Sequence, residues 1–134
     1  MAHEILTTLI GSYPVPVWLG ANPTPQALRD ATIVVLHTQE LAGIDLFTDG
    51  ELNRYDINHP ETNGMIDYFI KPLQNVRSHV TRAEDRKYAE LTHLRFRQSP
   101  AGVVEGQLGE GTLNLAHDFE RVRALTPRPL KFTV

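Results

Sequence analysis

The chain has 134 residues, with 13 basic against 16 acidic side chains, six histidines and no cysteine. A net charge of −3 excludes a general nucleic-acid binder, which carries a basic excess, and no basic amphipathic stretch suits a membrane surface. The missing cysteine excludes disulfides and a thiolate nucleophile, no apolar run approaches bilayer length, and the opening residues lack a signal-peptide pattern. The expectation is therefore a cytoplasmic protein of a single domain, long enough to bury a core.

Residues 6–10 form a short apolar and β-branched run that ends on Gly11-Ser12, a strand meeting a turn. Tyr13-Pro14-Val15-Pro16 cannot be helix and is expected to be extended loop. Thr24-Pro25 reads as an N-cap followed by proline at the first helical position. Across residues 26–42, Ala27, Ala31, Val34, Val35, Thr38, Leu41 and Ala42 recur at helical spacing and predict the buried face. Gly43 is the expected residue past the helix end, and a strand over 44–48 follows at once. This β-α-β order predicts two parallel, neighbouring strands joined by a right-handed crossover.

From residue 53 to about 100 the pattern weakens, and an irregular excursion is expected. Asn58-His59-Pro60 reads as a turn, and residues 62–70 as a short helix turning Met65, Ile66 and Phe69 inward. Alternation in 91–96 suggests a hairpin. Residues 103–108 then predict a strand, Leu115, Phe119, Val122 and Leu125 a helix stopped by Thr126-Pro127, and residues 130–134 a further strand.

Chemistry is expected where strands end. Gly43-Ile44-Asp45-Leu46-Phe47-Thr48-Asp49-Gly50-Glu51 delivers two carboxylates around a glycine at a predicted C-terminal strand end, where α/β folds place their sites. The end of the first strand, Ile10-Gly11-Ser12, is expected to form the other part of the same pocket. The histidines show no metal-ligand spacing. Residues 106–111 have the order G-x-x-G-x-G with flanking glutamates, which does not suit phosphate. Arg54 and Asp56 read as a local ion pair.

Three blocks resemble one family. Thr8-Leu9-Ile10-Gly11-Ser12-Tyr13-Pro14, Gln39-Glu40-Leu41-Ala42-Gly43-Ile44-Asp45 and Thr48-Asp49-Gly50-Glu51-Leu52-Asn53-Arg54-Tyr55-Asp56 resemble the catalytic barrel of cobalamin-independent methionine synthase. Looser likeness extends to Val103-Val104-Glu105-Gly106 and Pro129-Leu130-Lys131-Phe132-Thr133-Val134. The resemblance implies an α/β fold, the N-terminal half of a (β/α)8 TIM-type barrel spanning residues 1–134, since a whole barrel needs roughly 250 residues.

It further implies a zinc-dependent methyl transfer to a thiol such as homocysteine, in methionine synthesis. Carried over position by position, Ile10, Gly11 and Ser12 would hold the amino-acid end of the thiol substrate. Glu51 would pair with its ammonium group, with Asp49 beside it and Arg97 on the methyl-donor side. The family's zinc ligands include cysteines, which this chain lacks, so zinc is expected to be held outside it. A second polypeptide with the C-terminal half of the barrel and the zinc ligands is the expected partner, and would cover open strand edges. The methyl donor would be a methylated folate or a methyl-corrinoid protein. Two alternatives stand beside this: zinc-thiolate alkyl transfer like that of epoxyalkane–coenzyme M transferases, and a non-catalytic binding or regulatory subunit that kept the pocket.

Overall fold

The computed structural model describes residues 5–54, 64–91 and 100–133. The chain divides into two compact units, one formed by Met1–Pro60 with Asn114–Val134 and the other by Glu61–Leu113.

The first unit is built on three parallel segments. Thr8 bridges Leu46 and Phe47 bridges Leu130, both in parallel, so the order across the unit follows the chain. The Leu46 and Thr7 backbones bond at 3.0 Å, and Phe47 both donates to Pro129 and accepts from Lys131 at 2.9 Å. Asp45 reinforces the first pair, because its Oδ2 accepts from the Thr7 amide at 2.8 Å and from the Thr7 hydroxyl at 2.7 Å. Those two bonds, the backbone one first, hold the Asp45 carboxyl below its ordinary range.

One short helix precedes the crossover helix. A short helix α1, Val17–Ala21, was not anticipated and follows the Tyr13-Pro16 loop directly. Helix α2, Pro25–Leu41, begins as expected: the Thr24 side chain accepts from the Ala27 amide and proline sits in the first turn. It ends before Gly43, whose φ of +71° is left-handed.

The buried face of α2 matches the expected one at Ala31 and Val35 but is rotated elsewhere. Ala31, Thr32, Val35, Leu36 and Gln39 are buried, whereas Val34 is half exposed and Leu41 is 76% exposed. Thr32 tolerates burial because its hydroxyl donates back to the Leu28 carbonyl at 2.8 Å. One apolar cluster joins Leu19, Ala31, Val35 and Leu52, and a second joins Leu36, Phe47 and Val122. Val122 belongs to helix α5, Leu115–Arg123, capped by Asn114 and ending before Thr126-Pro127 as expected.

In the second unit, α3 spans Gly64–Ile70 and α4 spans Arg82–Glu90. Ile66 and Phe69 of α3 are half-buried, in keeping with the expected inward face. Strand β1, Val76–Arg77, pairs antiparallel with β2, Val103–Val104. The expected strand over 103–108 is thus corrected: only Val103 and Val104 form it, and it adds nothing to the parallel set. Asn75, at φ +60°, takes the Glu105 amide on its carbonyl and donates from its side chain to the Gln107 carbonyl, turning the chain away at that point. Thr81 and Glu84 form a capping box at the start of α4, and the Thr81 bonds with help from Arg77 hold the Glu84 carboxyl at about 2. The turn at 58–60, the alternation in 91–96 for all but its first residue, and Asp56 lie outside the described residues.

Candidate functional site

The first two parallel segments end side by side, and their loops are bonded together. The Tyr13 amide donates to the Gly50 carbonyl at 2.8 Å, and the Ser12 hydroxyl donates to Glu51 Oε2 at 2.7 Å. Ser12 and Glu51, expected to share a pocket from the sequence, are therefore in direct contact. Ser12 is exposed while Glu51 is buried to 4%, so the pair has one face toward solvent and one toward the core.

The turn that presents Glu51 is tight. Gly50 has φ +70°, and a Cβ there would stand 2.8 Å from Val35 Cγ1 and 3.0 Å from Tyr13 Cβ. Glu51 itself has φ +55°, left-handed backbone that a non-glycine residue avoids. Its amide donates to Asp49 Oδ1 at 3.2 Å, which helps to hold that conformation. Gly11 is also left-handed, at φ +92°, with no atom within 4 Å of where a Cβ would lie, so the backbone beside Ser12 is open to an approaching group. Ile10 is 90% exposed. Arg97 lies outside the described residues.

Asp49 is buried, and its Oδ2 has no hydrogen-bond partner. Burial raises its carboxyl above the ordinary range, against the opposing pull of the Glu51 amide and the Arg54 charge. Because the folded-state value is the higher one, the fold favours the protonated form. The stability this contributes is present below the unfolded-state value and is lost as pH rises through the folded-state value. Asp49→Asn keeps an oxygen for the Glu51 amide and removes the titration. We expect its urea midpoint to fall less than the wild type's as pH rises from the ordinary carboxyl range through the raised folded-state value; equal pH profiles would contradict this.

Two residues of the site were not assigned to the pocket from the sequence. Gln39, on α2, pairs its side-chain amide with the Thr48 backbone, donating to the carbonyl and accepting from the amide, both at 2.9 Å. Its signal was a polar residue within the helix's apolar stripe, one turn from the helix end. Arg54, read as part of a local ion pair with Asp56, is 5% exposed and lies 3.5 Å from Glu51 Oε1. It also donates to the Thr133 carbonyl, and its guanidinium sits over the Phe132 ring at 5.6 Å. The ends of all three parallel segments thus meet around Glu51.

A cavity of about 730 Å³ lies between α1, the start of α2, the turn after Glu51 and the end of α5, walled chiefly by Leu19, Leu28, Leu52, Val122 and Leu125. None of Ser12, Asp49, Glu51 or Arg54 lines it, so it is separate from the charged cluster.

No family model matches the sequence. Curated relatives do. The methionine synthase of Thermococcus kodakarensis is 41% identical over 110 residues, covering 67% of this chain and 33% of the relative. That of Sulfurisphaera tokodaii is 35% identical over 79 residues, covering 50% of this chain and 21% of the relative. By sequence, this chain is a homologue of the methionine synthases. The methionine synthase of Pyrococcus furiosus, 36% identical over 83 residues, is similar across 53% of the chain and 22% of its own length. The chain therefore spans a third or less of these methionine synthases. Among solved structures, a B12-independent methionine synthase from Shewanella sp. W3-18-1, in complex with selenomethionine, matches with a TM-score of 0.64 and 24% identity. The match covers 94% of this chain and 36% of that one, and at such identity it is a likeness of fold.

Among the described residues no group of three or more histidine, aspartate or glutamate side chains is placed to hold a metal, and the sequence has no cysteine. The residues of this chain do not fit a thiolate-type zinc centre. Among the described residues, too, no helix is long and apolar enough to cross a membrane.

Proposed function

We propose that this chain supplies the substrate-binding part of a zinc-dependent methyltransferase that moves a methyl group to a thiol such as homocysteine. The observation that carries the reading is the 2.7 Å contact between Ser12 and Glu51 at the ends of two neighbouring parallel segments. A short dipolar amino acid needs acceptors for its ammonium group at one place and donors for its carboxylate at another. Glu51 offers the first. The open backbone at Gly11 and Ser12 suits the second. The homology to methionine synthases supports the substrate class, and the selenomethionine bound by the Shewanella protein is an amino acid of that kind.

In this reading residues 1–134 are the N-terminal half of a (β/α)8 barrel. A second polypeptide, or a further part of the same protein, completes it and brings the zinc ligands. Ile5, Leu6 and Ile10, all large and exposed along the first parallel segment, suit an edge that another strand covers. Zinc held there would favour the thiolate form of the substrate; the methyl donor would be a methylated folate or a methyl-corrinoid protein. What Ser12 and Glu51 do is bind and orient the amino-acid end.

The test is homocysteine binding by the purified protein with any chain that accompanies it. Ser12→Ala removes one hydrogen bond to a charged group, and the dissociation constant is expected to rise about tenfold. An unchanged constant would remove Ser12 from the site.

A further inference from the structure

Glu51 carries its side chain on left-handed backbone, buried, with each carboxylate oxygen engaged: Oε2 by the Ser12 hydroxyl, Oε1 by Arg54. Ser12 has one hydroxyl hydrogen, and it donates that hydrogen bond to Glu51. What remains for a ligand at this pair is a set of lone pairs, on Ser12 Oγ and on Glu51. That polarity lasts only while Glu51 stays in place. A buried carboxyl group is held in one orientation when a cation stands beside it. Arg54 is that cation, and it is itself fixed from the third parallel segment by the Thr133 carbonyl and the Phe132 ring.

We propose that Arg54 is a positioning residue: by holding the Glu51 carboxyl group oriented toward Ser12, it makes this subsite select a primary ammonium group over a hydroxyl at the same place in the ligand. The proposal rests on the amino-acid reading of the site given above. An ammonium group brings a charge and three donors to the acceptor pair, whereas a hydroxyl brings one neutral donor. Phe132 and Thr133, which the ligand need not touch, then control selectivity through Arg54.

The experiment compares the dissociation constants of methionine and of its 2-hydroxy analogue, using the purified protein with any accompanying chain. The wild type is expected to prefer the amine by about 100-fold. In Arg54→Met the preference falls below about tenfold, through weaker amine binding, while affinity for the 2-hydroxy analogue stays within about threefold. Arg54→Lys keeps the charge without the fork, folds if the methionine variant does not, and is expected to lose part of the preference. Phe132→Leu lowers it severalfold. Val122→Ala, which trims the core elsewhere, leaves it at the wild-type value. Wild-type selectivity in both Arg54→Lys and Phe132→Leu would overturn the proposal, as would a wild type that binds both compounds equally. A wild type that binds neither compound would overturn the amino-acid reading, and this proposal with it.

Discussion

Replacing Gln39 with leucine is expected to destabilise the protein by about 3–5 kcal/mol, read as a fall in the urea midpoint. Gln39 is 1% exposed, and its side-chain amide acts toward Thr48 as a neighbouring strand would, satisfying one backbone donor and one acceptor. Leucine fills a similar volume, so packing changes little. Both Thr48 groups would be left buried without partners, each at a cost of about 1–3 kcal/mol. Against a total stability of about 5–15 kcal/mol this is a large fraction. It also loosens the segment that delivers Asp49 and Glu51. A loss below about 1 kcal/mol would mean that the Gln39–Thr48 pairing contributes little.

Glu51→Ala is expected to act on both stability and binding. It removes the carboxylate 3.5 Å from a buried Arg54, and breaking a buried ion pair from one side costs about 3–5 kcal/mol. It also removes the acceptor of the Ser12 hydroxyl. Glu51→Gln separates the two effects: its amide oxygen can still accept from Ser12, so it is expected to be the more stable variant. Homocysteine binding, however, should weaken by about 100-fold in either, since both lack the charge that meets an ammonium group. Zinc content of the assembled enzyme should not change in either variant. Zinc loss would place Glu51 in the metal centre instead and contradict the assignment.

The β-α-β unit was legible because its signals are local. Thr24-Pro25 caps and starts α2, Gly43 takes the left-handed position beyond it, and the run after it pairs with the first segment as the connection rule requires. The buried face of α2 was less so: periodicity places Val34 and Leu41 inside, yet both are exposed, while the polar Thr32 and Gln39 are buried because each satisfies its own hydrogen bonds. The run at 103–108 is apolar and β-branched only at its start, and a short run of that kind does not say which strand it will join. It joined Val76 and Arg77, and the third parallel segment proved to be the one at Leu130.

The contact at the heart of the candidate site was legible from one carboxylate and one serine. Ser12 and Glu51, 39 positions apart, were assigned to one pocket from their places at strand ends, and they touch. Arg54 was read only as a partner of Asp56, which lies outside the described residues, and its burial was not anticipated. Its burial depends on Phe132 and Thr133, near the other end of the chain, and no local pattern announces that contact.

In the proposed function this chain binds the thiol substrate while zinc is held by residues other than these 134. Native mass spectrometry of the protein purified from its own cells tests this most directly. The account predicts a complex heavier than 15.1 kDa, containing cysteine-bearing polypeptide outside this sequence together with zinc, and gaining mass when homocysteine is added. A lone 15.1 kDa species, or a homo-oligomer without metal, would contradict it.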